Sequence, residues 1–526
     1  MSRIRPRLIA AAVVTVASLA LTACGGTSSG TTGAAGTSGT GASSGAAGAA
    51  APSDKELVIG QVTEPEKAPD PIMDGSLAGD NYYYNVFDQL TALDVDGKVI
   101  PKLATAWTPS ADFKTWTYTL RTDVKFHDGS PLTAKDVEFT YNKILKSPDA
   151  DNLFYMGQLQ SVKASDDRTV VFTLNASFSP WPAITTTTSI VPQAVYEKLG
   201  SEGFAKAPVG SGPFTFVSWT RGVEYVIKRN PNYWGPKAPL AKVTFQTVAD
   251  ENARLNGVQS GSLDIALISP NQVDAVQGAG AAKVASRPSN GVTFLGMNST
   301  KGVLAKLGVR QAISKAIDLK AISTAILAGR ATPNSQLAAP TVAGYDPGLP
   351  IAPYDPEGAK KLLADAGYAG EAIPFEYATD GRIPLSSDVA QAIQGYLSKV
   401  GIKVTMIGMN QSSLSDKIYG TVSIQGLYLN TWAPSTMDGD MPVTNLFAGG
   451  QNDYAKQAAT KALVEQQRGV SGADRVAVFT KLFALNQDQA LILGLYTPNT
   501  DYAVNPKVNW KPRADGQFYL GDVTVS

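Results

Sequence analysis

Apolar positions recur along this chain with one of two periods. Trp116, Tyr118 and Leu120 alternate with Thr117 and Thr119, which predicts a strand with one buried face; TVVFTL at 169 to 174 and YVIKRN at 225 to 230 read the same way. Thr133 followed by Asp136 makes a capping-box start, and Val137, Tyr141 and Ile144 then fall on one face of a helix. Further helices are predicted over 309 to 318, 357 to 367 and 388 to 401, the last two stopped by Gly367 and Gly401. Each of these two stops leads into an extended segment, IPFEYAT and IKVTMIG. Strands and helices interleave, so the fold class is mixed α/β. A single core stops growing at roughly 250 to 300 residues. With 526 residues, two or three domains are expected.

The N-terminus follows a different pattern. Arg3, Arg5 and Arg7 precede an apolar run from Leu8 to Leu21 that ends in Leu21-Thr22-Ala23-Cys24. The run is shorter than the roughly 20 residues that span a bilayer and closes on small residues, which predicts an export signal over 1 to 23. Cys24 is the only cysteine, so no disulfide can form within the chain. LTAC resembles the lipobox of bacterial lipoproteins, which implies that Cys24 carries a lipid and begins the mature chain. Residues 25 to 52 are Gly, Ser, Thr and Ala with a closing Pro, and offer no side chains for a core. They predict a flexible tether of about 30 Å root-mean-square reach, so 24 to 55 is read as lipidated cysteine plus tether. No second run is apolar enough to cross a membrane, and the lipid is the only membrane attachment expected.

Charge narrows the partners. Lys+Arg and Asp+Glu are equal at 45 each, and removal of the signal leaves 42 basic side chains against 45 acidic. No basic excess exists to replace counterions around phosphates, so nucleic acid is not expected as a partner. The chain has one histidine, His127, in VKFHDGSPLTAKDVEFTY, and a Ser-His-Asp triad or a histidine zinc site would have to use it. Val124 and Phe126 end a strand there and Asp128-Gly129 turns it, so His127 reads as part of a turn. The pattern G-x-S-x-G occurs at 26 to 30 and 41 to 45, inside the tether, where no strand-turn-helix can hold a nucleophile. Gly210-Ser211-Gly212 and Gly278-Ala279-Gly280 have Thr215 and Lys283 where a dinucleotide loop needs its third glycine. No catalytic residue, metal site or cofactor is expected. A carboxylate-pair hydrolase is the enzyme class left open, because 45 acids always offer pairs.

Five segments, taken in order, are specific. PKLATAWTPSADFKTWTYTLRTDVKFHDGSPLTAKDVEFTYNKI (101 to 144), PVGSGPFTFVSW (208 to 219), KRNPNYWG (228 to 235), GMNSTKGVLAKLGVRQAISKAID (296 to 318) and YDPEGAKKLLADAGY (354 to 368) span most of the chain. Together they resemble the extracellular solute-binding proteins of peptide-type ABC importers, the oligopeptide- and dipeptide-binding family 5. The resemblance implies a two-lobed fold of the periplasmic-binding-protein kind, class II type, with a small insert domain. Carried over, lobe I comprises 57 to 80, 206 to 298 and 496 to 526, the insert 81 to 205 and lobe II 299 to 495. The chain then crosses between lobes near Met297-Asn298 and near Tyr496-Thr497. The implied function is an extracytoplasmic receptor, anchored to the cell membrane by Cys24, that closes on a solute and delivers it as a monomer to the permease subunits of an ABC transporter.

The same resemblance nominates ligand contacts. The family's amine-binding aspartate lies three residues after a tryptophan, and in YLNTWAPSTMDGDM (428 to 441) that position, three after Trp432, is Ser435. A neutral hydroxyl cannot make the charge-assisted bond a buried ammonium wants, which points to Asp438 or Asp440 in its place. Arg382 resembles the carboxylate anchor of some dipeptide binders. Thr63-Glu64-Pro65 matches a segment running along the cleft, and Asn298, Asn430 and Trp432 complete the candidates. Tyr82, Tyr83 and Tyr84 form an aromatic run that reads either as a stacking surface or as a buried helix face. Peptides are the leading ligand class, with an oligosaccharide as the alternative that an aromatic, neutral cleft would suit.

Overall fold

The computed structural model describes residues 51 to 65, 67 and 69 to 526; the export signal, Cys24 and the tether through residue 50 lie outside them. Two of the strands predicted from alternation, Thr115–Leu120 and Thr169–Leu174, form the middle of the insert's antiparallel sheet, between Ala104–Pro109 and Leu159–Ala164, while the third lies in Glu224–Arg229 of the first lobe. Trp116, Tyr118 and Leu120 point inward with Val170, Phe172 and Leu174, and the helix Ala134–Leu145 lays Val137, Tyr141 and Ile144 on them. Each such side chain taken fully from water contributes about 1.5 to 3 kcal/mol. At the start of that helix the Asp136 carboxylate accepts from the Thr133 N–H at 2.9 Å and its hydroxyl at 3.1 Å. The insert has no core of its own: its apolar cluster runs on into Leu57, Ile59, Tyr225 and Val243 of the first lobe.

The joint between insert and first lobe explains the signature segments. Asp88, fully buried, is 3.1 Å from Lys102 Nζ and accepts from Ser211 Oγ and Trp234 Nε1, each at 2.9 Å. Gly210 is there for close approach, since a Cβ at that position would lie 2.0 Å from the Val86 carbonyl oxygen. His127 donates from Nε2 to the Gly212 carbonyl at 3.1 Å and accepts the Gly210 N–H on Nδ1 at 3.2 Å. Burial pushes its imidazole below the ordinary histidine value and so keeps it neutral, the form those two bonds require. The tyrosine run lies in the buried helix Leu77–Val86, where Tyr82 stacks on Tyr225 at 4.3 Å between ring centres.

Each lobe carries a mixed sheet. In the first, Glu56–Gln61 runs parallel to Lys242–Thr247 and Ile265–Ile268; in the second, Ile373–Ala378 runs parallel to Val404–Met409 and Leu427–Trp432. The long strand Ile492–Val504 belongs to both, pairing by its first half with Val292–Met297 and by its second with Ile265–Ile268 and Lys283–Pro288. The expected first crossing is near Met297-Asn298. Strand pairing places it at 289 to 291 instead, because Val292–Met297 pairs with Leu427–Trp432 on one side and on the other with the first half of Ile492–Val504, the half that lies in the second sheet. The two crossing segments are bonded to each other, Ser289 N–H donating to the Pro498 carbonyl at 2.9 Å.

Candidate ligand cleft

In open α/β sheets a ligand sits outside the carboxyl ends of the strands, where the following loops converge. For the parallel strands of the first lobe those ends are 62 to 65, 248 to 251 and 269 to 272; for the second they are 379 to 388, 410 to 411 and 433 to 438. The two sets face each other. Glu251, Ser269 and Asn271 from one lobe and Thr379, Ser386 and Asp388 from the other line a shared cavity of about 250 Å³.

Most of the candidates from sequence fall on these edges. Glu64 and Pro65 follow Glu56–Gln61; the Glu64 carboxylate accepts the Gly222 N–H at 2.7 Å, while Pro65 is buried. Arg382 is exposed in the loop after Ile373–Ala378, whose Asp380 carboxylate also accepts the Gln411 N–H at 2.9 Å and ties two loops of this wall together. Asn430 is buried, donates to Tyr419 Oη at 3.1 Å and accepts from Gln411 Nε2 at 3.2 Å. Trp432 is half-buried, with Tyr419 edge-on at 5.8 Å. Ser435 accepts from Tyr155 Oη of the insert at 3.2 Å, a bond across the cleft.

Three residues considered from sequence are placed elsewhere or otherwise engaged. Asn298 lies at the far edge of the second sheet, donating to the Ile424 carbonyl at 2.8 Å, because Val292–Met297 runs antiparallel to Leu427–Trp432 and carries its own carboxyl end away from the cleft. Asp438 is buried against Arg475, whose two Nη atoms donate to its two oxygens at 2.6 Å each. Asp440, the other acid considered for the missing aspartate, is held by Arg468 Nε at 2.6 Å and by Gln467. Both acids act as struts for the loop that carries Ser435.

Sequence reasoning missed Gln411, Tyr155, Thr436 and Ser386. Gln411 could have been found by taking the loop that begins within three residues of the predicted strand IKVTMIG. Tyr155 stands in the short 3-10 helix Asp151–Met156, which has no apolar period to announce it. Of the thirteen buried side-chain atoms without a hydrogen-bond partner among the described residues, four, Gln61 Nε2, Ser386 Oγ, Gln411 Oε1 and Thr436 Oγ1, lie on or beside the strand edges just described. Such groups cost about 1 to 3 kcal/mol each unless a partner reaches them, and clustered at a cleft they mark where one belongs.

Residues 98 to 454 match the family model described as bacterial extracellular solute-binding proteins, family 5 Middle. The chain belongs to that family. Among its relatives, the nickel-binding periplasmic protein of Escherichia coli strain K12 is 28% identical over 447 residues, 78% of this chain and 83% of the relative. The D,D-dipeptide-binding periplasmic protein DdpA of the same strain, so named as probable, is 27% identical over 479 residues, covering 86% and 90%. The structure of the DppA binding protein of Helicobacter pylori in complex with the peptide STSA superposes with a TM-score of 0.75 at 25% identity, over 90% of this chain and 98% of that one. The family 5 fold is the two-lobed one described above. Its members are transport receptors that pair with ABC permeases and bind small solutes without transforming them, so the carboxylate-pair hydrolase is ruled out.

Proposed function

We propose that this family 5 protein is a lipid-anchored receptor that captures oligopeptides between its lobes and delivers them, as a monomer, to an ABC import permease. The observation that carries the peptide reading is the row of neutral, buried, unpartnered amide and hydroxyl groups along both cleft edges. An extended peptide presents alternating N–H and C=O groups, each of which must be satisfied when buried, and donors and acceptors of this kind suit them. The names of the relatives DdpA and DppA agree with this class. A bare metal ion suits the cleft less, since no group of three His, Cys, Asp or Glu is placed to hold one among the described residues.

The working parts follow from the fold. Lobe I with the insert and lobe II rotate about the paired crossings at 289 to 291 and 497 to 499, closing Ser435 onto Tyr155. A ligand touching both edges favours the closed arrangement by its differential affinity, and that difference separates loaded from empty receptor at the permease. Lipid on Cys24 and the tether hold the receptor within reach of the membrane without fixing its orientation. Trp432 with Tyr419 favours a second reading, an oligosaccharide stacked on the aromatic wall. Thermal shifts with defined di- to hexapeptides and with cello-, xylo- and malto-oligomers separate the two. Peptides are expected to raise the melting temperature, and a shift confined to the sugars overturns the peptide reading.

A further inference from the structure

Five buried aspartates come with a cation, Asp88 with Lys102, Asp438 with Arg475, Asp440 with Arg468, Asp501 with Arg330 and Asp515 with Arg513, and three more, Asp70, Asp74 and Asp453, are each held by two or more hydroxyl or backbone N–H donors. Asp80 has neither. It is 6% exposed in the first turns of Leu77–Val86, its one side-chain bond is to the Tyr84 hydroxyl, and the charges that act on it are those of Asp74 and Asp515. Isolated buried carboxylates are rare because desolvation of the charge is uncompensated.

Its surroundings are those of the cleft. The helix starts after the loop that leaves the carboxyl end of Glu56–Gln61, and Asp80 exerts its charge on Tyr155, whose hydroxyl donates to Ser435 of the opposite lobe. Next to Asp80, Asn81 donates to Gln61 Oε1 at 3.2 Å and accepts the Phe518 N–H at 3.0 Å, which brings Gln61 and Gln517 to the same wall. Gln61 Nε2 and Gln517 Oε1, both more than nine-tenths buried, have no hydrogen-bond partner among the described residues, and neither has Thr436 Oγ1 beside Ser435. An acid, a free amide acceptor and a free hydroxyl match the three donors of an ammonium, and the free amide donor of Gln61 matches an adjoining carbonyl.

We infer that Asp80 holds a cationic group of the ligand, doing from lobe I what residue 435 cannot do from lobe II, with Gln517 and Gln61 reading the polar atoms beside that cation. This rests on the peptide reading, in which the cation is a free amino terminus and the adjoining carbonyl is that of the first residue. Burial, then Asp74, raise the Asp80 carboxyl to about 8, so near neutral pH an incoming ammonium displaces a proton from it. The groups facing it are Asp74, Tyr84, Asp515, Tyr155 and Tyr519, with Arg513 already paired to Asp515.

The test is calorimetric titration at pH 6.5, in two buffers of different ionisation enthalpy, with tetra-alanine, N-acetyl-tetra-alanine and 1,4-diaminobutane as probes. Peptide amines are already protonated at that pH, so protons released come from the protein. Wild type is expected to bind tetra-alanine at least tenfold more tightly than the acetylated form, releasing close to one proton per ligand. Asp80→Asn should fold with an equal or higher melting temperature, bind the two peptides alike and release none. If Asp80→Asn does not fold, the wild-type ratio and proton count decide alone. Equal binding of both peptides by wild type overturns the inference and leaves the peptide reading standing. Binding of the diamine alone, abolished in Asp80→Asn, removes the peptide reading and leaves Asp80 as a cation site. Binding of none of the three, or binding unaffected by Asp80→Asn, overturns the inference.

Discussion

Replacing Asp438 by Asn separates a strut from a ligand group. Arg475 offers Asp438 a two-pronged pair at 2.6 Å, donates from Nε to Gln467 at 2.8 Å and lies 5.1 Å from the centre of the Phe479 ring, with its side chain 11% exposed. The isosteric amide keeps the shape but leaves a buried guanidinium without its counter-charge, and breaking a buried pair from one side costs about 3 to 5 kcal/mol. For a cooperative lobe of about 200 residues the unfolding entropy is about 0.4 kcal/mol/K, so the melting temperature should fall by about 7 to 12 °C. If the whole body unfolds together the fall is about 3 to 5 °C. The loss falls on empty and loaded protein alike, so the increment produced by a saturating peptide should persist. Scanning calorimetry of wild type, Asp438→Asn and the double change Asp438→Leu with Arg475→Met measures this, the double costing less than the single. An unchanged melting temperature together with a tenfold or greater loss of peptide affinity would refute the strut and return Asp438 to the ligand.

Three other outcomes are expected. His127→Ala leaves the Gly210 N–H and the Gly212 carbonyl unpaired at the insert joint; urea titration should show a loss of about 1 to 3 kcal/mol with the peptide-induced shift intact. Asp501, buried in the strand that crosses both lobes, binds Arg330 of the second lobe; Asp501→Ala should lower the melting temperature and broaden the size distribution of the unliganded protein in small-angle scattering. Stability should also fall between pH 6.5 and 8.5. Asp80, raised to about 8 by burial, contributes fully only below the ordinary carboxylate value and loses that contribution steadily as pH rises to about 8, where the fall levels off. Asp74, raised to about 6, has already lost its own by then, and His127, lowered by burial, acts with opposite sign as pH falls below its ordinary value near 6.5. Denaturation midpoints across this range should be flatter in Asp80→Asn.

What could be read ahead of the structure follows the physics of each signal. Thr115–Leu120, Thr169–Leu174 and the helix bearing Val137, Tyr141 and Ile144 are legible because one face of each is buried in a single local layer. Val292–Met297 was misassigned at the crossing because a strand buried on both faces has no alternation, and its neighbours come from 427 to 432 and 492 to 496, far along the chain. That misassignment also carried Asn298 to the wrong edge, since strand direction decides which end meets the cleft. Trp432 and Ser435, nominated by one short pattern, stand at the end of Leu427–Trp432 and in the loop after it. Asp80, Tyr155 and Gln517 were not nominated, because their proximity arises from packing among the first lobe, the insert and the C-terminal segment, which no local spacing records. Asp438 and Asp440 looked available in sequence; their arginines lie at 475 and 468, beyond any local pattern.

The central claim is that the cleft takes peptides, and the most direct test is native mass spectrometry of the folded protein, followed by denaturation to release what it carries. The released species should differ in mass by amino-acid residues and carry free amino termini. A single released sugar or metal chelate, with no peptide among the bound species, would contradict it.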